Sequence, residues 1–347
     1  MRVPMEKKFI KILIIVLPCI AFSQGVTKNV SKVGTSAAPF LEIPVGAVAV
    51  GMGGAFVSIV NDATALYWNV AGITALEQSE VVGIHNEWIA GTSFDFVAVV
   101  LKLGSYGAFG LNITSLSMDD MKVRTIDKPE GTGEFFSAGD IQIGLSYASK
   151  LTDRFAIGFT AKYIQQKIWH MKSTAVAVDF GTTFKTDLFR GMTIGASISN
   201  FGSSMKLSGR DTRRFSRIDE TISGSNERIP HNIEMDSWDL PLLFQIGVST
   251  NVMESNNLRL TVAVDALHPS DDYESLNIGT ELAFQERVFI RGGYQNLFLE
   301  EAEGGLGLGV GMNTYLPFSR SKIKLDYAYR DMGRLTSVQL ISISVSF

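Results

Sequence analysis

The sequence predicts an all-β protein, a transmembrane antiparallel β-barrel of about fourteen strands with an N-terminal plug, or hatch, segment. Three observations support this fold class. Apolar and polar residues alternate with period two, in blocks of roughly ten residues, from about position 80 to position 347. No run of about eighteen apolar residues follows Phe22, so the sequence contains no helix long enough to cross a bilayer. Short connections between the blocks alternate with longer ones.

The alternation is clearest between Ser337 and Phe347, where isoleucine, valine and phenylalanine at every second position are separated by serines. Blocks of this kind predict about fourteen strands, an even number as bacterial single-chain barrels have. The predicted strands are 80–90, 93–103, 106–117, 139–149, 154–168, 173–186, 191–202, 241–250, 257–268, 275–285, 287–297, 304–316, 321–330 and 336–347.

The connection lengths favour a barrel over a soluble β-sandwich, which would also alternate. Starting after the second predicted strand, every second connection is short, as at 104–105, 151–153 and 285–286. The longest connections, 118–138 and 203–240, are among those that alternate with the short ones. This parity predicts short turns on the periplasmic side and the long loops outside the cell.

The N-terminal region predicts export. Three lysines precede an apolar stretch from Ile12 to Phe22, which is typical of a secretory signal peptide over residues 1–23. We expect an N-terminal extension and lumenal plug at 24–79 and the barrel at 80–347. Cys19, the only cysteine, lies in the predicted signal, so the mature chain has no disulfide or thiolate metal site. A net charge of −4 and scattered basic residues argue against nucleic-acid binding.

Residues 44–77 differ in kind from the barrel, because they are rich in glycine and alanine. An apolar segment of small residues needs a buried location, and the barrel lumen is the nearest. Glycines alternate at positions 305, 307, 309 and 311, on the phase predicted to face inward, and would leave room for this plug.

Charged residues within the strands fall on the phase opposite the apolar ones, where a polar lumen accepts them. Asp265, Glu281 and Arg291 come from three consecutive predicted strands and predict a lumenal ion network. Stabilisation of the barrel is the favoured role, with substrate conduction as the alternative.

Signals for catalysis or cofactors are weak. The four histidines share no metal-ligand spacing, and no Gly-x-Ser-x-Gly elbow is present. The Gly51 to Gly54 run lacks the lysine of a phosphate-binding loop, so close packing explains it better. We therefore predict no enzyme activity, no cofactor and no metal site.

The plug segment carries a motif in two parts. It consists of Gly51, Met52, Gly53, Gly54, Ala55 and Phe56, then Asn61, Asp62, Ala63, Thr64, Ala65, Leu66, Tyr67, Trp68, Asn69, Val70, Ala71 and Gly72. This motif resembles the PorV/PorQ family of outer-membrane proteins, which are distant relatives of the FadL transporters. Further matches lie at 265–269, 277–281, 291–294 and 325–329. Val70 stands where the family usually has proline, and Asn61 where it often has aspartate.

The resemblance implies a fourteen-stranded outer-membrane barrel with an N-terminal hatch and a role in type IX protein secretion. In that role the chain would bind or shuttle secreted proteins, with those cargo proteins, components of the secretion system and outer-membrane lipid as partners. The barrel-plus-hatch design leaves a second hypothesis open, a FadL-like passive transporter of hydrophobic small molecules. A protein-binding role predicts an exposed apolar patch on the loops, whereas a transporter needs an apolar pocket leading into the lumen.

Overall fold

A computed structural model describes residues 33–217, 221, 228–299, 302, 304–315 and 321–347. The chain separates into two units, Met1–Val33 and Gly34–Phe347, and only the second is described below. The predicted signal peptide with Cys19, and the first part of the predicted extension, lie outside the described residues. No described helix has the length and apolar character needed to span a membrane.

Fourteen strands form a closed antiparallel barrel, as the period-two alternation predicts. Each strand pairs with the next in sequence, and β1 pairs with β14 to close the ring. The strands are β1 Glu80–Glu87, β2 Thr92–Lys102, β3 Ala108–Met118, β4 Ala138–Lys150, β5 Phe155–Ile168, β6 Met171–Lys185, β7 Thr193–Gly202, β8 Leu243–Glu254, β9 Leu258–Pro269, β10 Ser275–Phe284, β11 Val288–Leu297, β12 Leu306–Tyr315, β13 Lys322–Asp331 and β14 Ser337–Ser346. The predicted all-β barrel is confirmed.

The outer wall is a belt of exposed apolar side chains. Along β14, Ile341 and Ile343 are about half exposed while the serines between them are buried. The same alternation holds on β5, where Ile157 and Phe159 point outward and Thr160 is buried. Outward apolar and inward polar side chains are the arrangement that a lipid-embedded barrel requires.

The connections lie at two ends of the barrel. The turn end, where β1 begins and β14 ends, carries connections of three to seven residues at 103–107, 151–154, 186–192, 255–257 and 285–287. The predicted turn at 317–320 lies outside the described residues. The opposite, loop end carries the long connections 119–137 and 203–242.

The expected alternation of short and long connections is only partly right. Four loop-end connections, 88–91, 169–170, 270–274 and 332–336, are as short as the turns. Two strands in a hairpin need only two to five connecting residues, so nothing in the barrel geometry requires every loop to be long. The two long loops add small hairpins, Met121–Lys122 with Phe135–Phe136 and Arg213–Ser216 with Ile229–Asn232.

The plug fills the lumen with short helical turns. It contains helix α1 Ala47–Gly51, helix α2 Ala65–Trp68 and two 3-10 turns, Pro39–Glu42 and Val70–Ala75. Its large side chains pack against inward residues of the first strands in one core. That core includes Phe40, Phe56, Leu66, Ile73, Phe94, Phe96 and Ile164. The lumen of this barrel is therefore a packed interior rather than an open channel.

Candidate functional site

The glycine motif lets the plug lie directly against the barrel wall. Gly53 and Gly54 have positive φ angles of 62° and 75°, which glycine adopts without strain. A Cβ on Gly53 would lie 2.4 Å from the backbone nitrogen of Tyr294. Gly51 faces Gly309 across the interface, where a Cβ would approach the Gly309 Cα to 2.9 Å. Met52, fully buried, lies between them in the core.

The glycines at 305, 307, 309 and 311, which the sequence predicts to face inward, have three different kinds of neighbour. Gly307 and Gly309 contact the plug, at the Val50 carbonyl oxygen and the Gly51 Cα. Gly311 lies beside the carboxylate of Asp326, and so makes room for a charged cluster. Gly305 faces Tyr294 of the wall. Only part of the run therefore accommodates the plug.

The second half of the motif folds back on the plug itself. The Asp62 carboxylate accepts the Thr64 N–H at 2.8 Å, and this turn leads into α2. The Trp68 indole N–H donates to the Val45 carbonyl at 2.8 Å, and the Tyr67 hydroxyl donates to the Leu41 carbonyl at 3.1 Å. Both aromatic side chains thus tie the end of the motif to the start of the plug.

Asn69 joins the plug to the wall. Its amide group donates to the carbonyls of Val57 at 2.8 Å and Thr182 at 3.0 Å, while its oxygen accepts the Ala71 N–H at 3.2 Å. Gly72 is required by close packing, because a Cβ there would lie 2.5 Å from a methyl group of Val60. Asn61 is exposed and lines a cavity at the turn end.

Side chains of the wall hold the plug through its backbone N–H groups. The Asp265 carboxylate accepts the N–H groups of Phe56 at 2.7 Å and Val57 at 2.9 Å. Glu80 accepts the Ala63 N–H at 2.9 Å, and the Ser342 hydroxyl accepts the Ala47 N–H at 2.8 Å. These attachments come from strands β9, β1 and β14, so the plug is fixed on several sides.

A buried ion network lies in the lumen near the turn end. Arg291 contacts Glu281 at 2.8 Å and Asp326 at 2.6 Å, and Arg259 contacts Glu281 at 3.0 Å. Asp265, expected in the same network, lies elsewhere and binds the plug backbone instead. The position of a residue in the period-two alternation predicts whether its side chain faces the lumen. It does not predict how far along the barrel axis the side chain lies, so the sequence could not show that Asp265 is separate from Glu281 and Arg291.

Two cavities flank the plug. The turn-end cavity, about 690 Å³, is lined by the ion network and by plug residues that include Asn61 and Asp62. Its charges are largely paired with each other, as in the Lys324 contact to Glu80 at 2.8 Å. No group of histidine, cysteine or acidic residues within the described parts of the chain could hold a metal ion.

The loop-end cavity, about 480 Å³, lies between the first plug residues and the long loop 203–242. Its apolar lining comes from Met205, Leu207, Met235 and Trp238. Ser173, which is 4% exposed, also lines it, and its hydroxyl has no hydrogen-bond partner. Gln166, Glu234 and Asp236 line it as well, so the cavity offers a mixed apolar and polar surface.

Pairing between two short segments of the long loop shapes the loop-end cavity. Met205–Lys206 pairs with Ser237–Trp238, which brings the two ends of the long loop together. The Ala37 N–H donates to the Asp239 carbonyl at 2.8 Å, so the plug forms part of the cavity wall. The sequence prediction did not identify these residues, because the loop has no periodic pattern to show which of its parts meet.

Comparison with known proteins places the chain in a family. A family model described as type IX secretion system protein PorV matches residues 26–212, more than half of the chain. The chain belongs to the PorV family. The match includes the entire glycine and Asn-Asp motif of the plug, so the resemblance drawn from those residues is confirmed. No protein in the curated collection matches the sequence significantly.

Solved outer-membrane barrels share the fold of this PorV-family chain. A FadL homologue of Pseudomonas aeruginosa has a TM-score of 0.50 at 11% identity, covering 88% of this chain and 98% of its own. The monoaromatic hydrocarbon channel CymD scores 0.51 at 13% identity, with coverage of 88% and 98%. The Pseudomonas putida toluene transporter TodX scores 0.51 at 13% identity, with coverage of 87% and 97%. The chain thus shares a FadL-like barrel fold.

Proposed function

We propose that this chain is a non-enzymatic component of type IX protein secretion that binds secreted proteins at the loop end of its barrel. The observation that carries the proposal is the loop-end cavity, which combines apolar residues with Glu234 and Asp236 and is built jointly by the plug and the long loop 203–242. Membership of the PorV family supports the secretion role.

The packed lumen supports docking rather than passage through the barrel. The plug packs its core against the first strands and is attached to Asp265 and Glu80, so among the described residues it occupies the lumen between the two cavities. A secreted protein would therefore bind this chain from the loop end and cross the membrane elsewhere.

The cavity has the features of a protein-binding hot spot. Trp238 is 48% exposed at its rim, and large aromatic side chains contribute most strongly at such sites. Met235, which is half-buried, adds flexible apolar surface that accommodates varied partner side chains.

Trp238→Ala tests the proposal. Removal of a hot-spot aromatic costs about 2 kcal/mol of binding, which corresponds to roughly thirtyfold weaker affinity. The variant and the parent would be purified in mild detergent and titrated with the pooled secreted proteins of the host. Phe298→Ala is the matched control, because Phe298 is an exposed aromatic residue at the loop end outside the cavity.

The expected result is a large loss of bound secreted protein for Trp238→Ala and little change for Phe298→Ala. Equal binding by both variants and the parent would contradict docking at the cavity. Heat-modifiable migration of each variant would verify that the barrel is folded.

Passive transport of hydrophobic small molecules is the second candidate, and the apolar lining of the same cavity favours it. It predicts that Trp238→Ala reduces hydrocarbon uptake and leaves protein binding unchanged. Uptake of a radiolabelled aromatic hydrocarbon by cells, measured beside the protein titration, separates the two functions.

A further inference from the structure

The turn-end cavity has two walls of different character. One wall, on strands β9 to β13 and β1, carries acidic and basic side chains that neutralise one another. The pairs are Arg259 with Glu281 and Glu286, Arg291 with Glu281 and Asp326, and Lys324 with Glu80. The other wall, on β6 to β8, carries hydroxyl groups and one lysine. This second wall therefore presents groups that a bound molecule can contact without breaking an ion pair.

Strand register brings the lysine of the second wall close to two hydroxyl groups. Lys185 on β6 pairs with Thr193 on β7, and Thr193 pairs with Ser249 on β8. All three residues line the cavity and so face the lumen. The Cβ atoms of directly paired residues lie about 4.5–5.5 Å apart. One ammonium group and two hydroxyls thus form a short inward row at the turn end.

Two more hydroxyl groups lie beside this row. Thr183 on β6 pairs with Gly195 on β7, two residues along from Thr193. The plug rests on Gly195, where a Cβ would lie 2.7 Å from the Ser58 Cα. Ser58 is 4% exposed and lines the cavity, and its hydroxyl has no hydrogen-bond partner. Three strands and the plug therefore contribute to one hydroxyl-lysine cluster, which consists of Ser58, Thr183, Lys185, Thr193 and Ser249.

The side chains of the hydroxyl-lysine cluster are unpaired. Among the described residues of the chain, none of the four hydroxyls and not the Lys185 ammonium makes a hydrogen bond or an ion pair. Asp187, the acidic residue closest to Lys185 in sequence, pairs instead with Arg154 at 2.7 Å. A buried hydroxyl without a partner is unfavourable, so a ligand that supplies the missing bonds would be stabilised at this place.

The donors of the cluster indicate the chemistry of that ligand. One ammonium group and several O–H groups that face the same space favour an oxyanion, because each of them can donate a hydrogen bond. A phosphate group has enough acceptor oxygens for all of these donors, whereas a carboxylate has only two oxygens. The cavity, at about 690 Å³, has room for more than a phosphate ion, and Phe56 and Ile59 of the plug add apolar surface to it.

We propose that the hydroxyl-lysine cluster binds the phosphate group of a small molecule that enters the barrel from its turn end. Lys185 supplies the positive charge, and the hydroxyls of the cluster donate to the phosphate oxygens. The connection lengths predict that the turn end faces the periplasm, so the ligand is a periplasmic phosphate or phosphate ester. The cluster and the loop-end cavity lie at opposite ends of the lumen, so this inference does not depend on docking of secreted proteins.

Isothermal titration calorimetry of the purified protein tests the proposal, in dodecyl maltoside and a buffer without phosphate. The probes are inorganic phosphate and glycerol 3-phosphate, with glycerol and succinate as the uncharged and dicarboxylate comparisons. We expect saturable binding of at least one phosphate probe, at least about tenfold tighter than that of succinate, and no binding of glycerol. Tighter binding of phosphate would identify the free anion as the ligand, and tighter binding of glycerol 3-phosphate would identify an ester.

Three variants assign the binding to the cluster. Lys185→Met should weaken phosphate binding at least about tenfold, because it removes a hydrogen bond with a charged donor. Ser58→Ala, which removes a neutral donor, should weaken it about twofold to tenfold. Lys150→Met is the matched control and should bind as the parent does, because Lys150 is an exposed lysine at the turn end that does not line the cavity.

Three results would overturn the proposal. They are no binding of either phosphate probe by the parent, equal affinities of Lys185→Met and Lys150→Met, and succinate binding as tight as that of the phosphate probes. Heat-modifiable migration would verify that each variant is folded. If Lys185→Met did not fold, Thr193→Val would replace it, and an affinity equal to that of the parent would then contradict the proposal.

Discussion

The attachment of the plug to Asp265 makes a quantitative prediction. One oxygen of this fully buried carboxylate accepts the N–H groups of both Phe56 and Val57. Hydrogen bonds to a charged group contribute about 1.5–3 kcal/mol each. Asp265→Ala should therefore destabilise the docked plug by about 3–6 kcal/mol if the two bonds add. At about 1.4 kcal/mol per decade, local opening increases by about two to four orders of magnitude.

Hydrogen-deuterium exchange of the plug peptide around residues 52–60 measures this opening, with peptides of strand β5 as the internal reference. Asp265→Asn is the matched variant, because the amide keeps an acceptor oxygen for both N–H groups. Its neutral bonds contribute about 0.5–1.5 kcal/mol each, so exchange should rise by only about one to two orders of magnitude. Plug exchange within about threefold of the parent in Asp265→Ala would refute the attachment.

Three further predictions concern the loops, the ion network and the plug. Trypsin added to intact cells should cut at Arg213 in the long loop before any site near the turn 151–153, and the reverse order would invert the topology. Arg291→Met leaves the buried Asp326 carboxylate without its paired cation and leaves Glu281 with Arg259 alone, so the urea midpoint of the refolded barrel should fall by the equivalent of about 3–5 kcal/mol, whereas an unchanged midpoint would mean that the network adds no stability. Partial desolvation of the Glu42 side chain, which stays exposed at the loop end, and the charges of Asp271 and Asp272 raise the pKa of Glu42 from 4.5 to about 7. The free energy of unfolding that protonated Glu42 contributes is fully present below about pH 4.5 and is lost as the pH rises through about 7. Glu42→Gln should therefore reduce the pH dependence of thermal unfolding in that range. An identical pH dependence in the variant and the parent would exclude Glu42 as its source.

The sequence predicts the barrel well, because each strand must satisfy two different surroundings at once. Lipid on one side and a filled lumen on the other impose the period-two pattern that marks strands such as β5 and β14. The plug was predictable for a related reason. Glycines at 51, 53 and 54 have a steric requirement that the sequence displays directly.

Contacts between distant segments were less predictable. Asp265 faces the lumen, as its position in the alternation predicts. Its partners are backbone groups of the plug, and no pattern in the sequence points to them. The apolar lining of the loop-end cavity comes from Met205 and Trp238, which a hairpin inside a non-periodic loop brings together. The domain boundaries at 23 and 79 stay predictions.

We propose that the plug closes this barrel, so that secreted proteins dock on it rather than pass through it. Single-channel recording in planar bilayers tests it most directly, with the parent chain beside a variant that lacks residues 44–77 and still shows heat-modifiable migration. A barrel of about fourteen strands lies between the side-chain-filled eight-stranded case and the aqueous porins. If the plug closes the barrel, the parent should show no steady conductance and the folded deletion variant should show a clear rise. Porin-like conductance of the parent, or a folded variant that conducts no more than the parent, would contradict it.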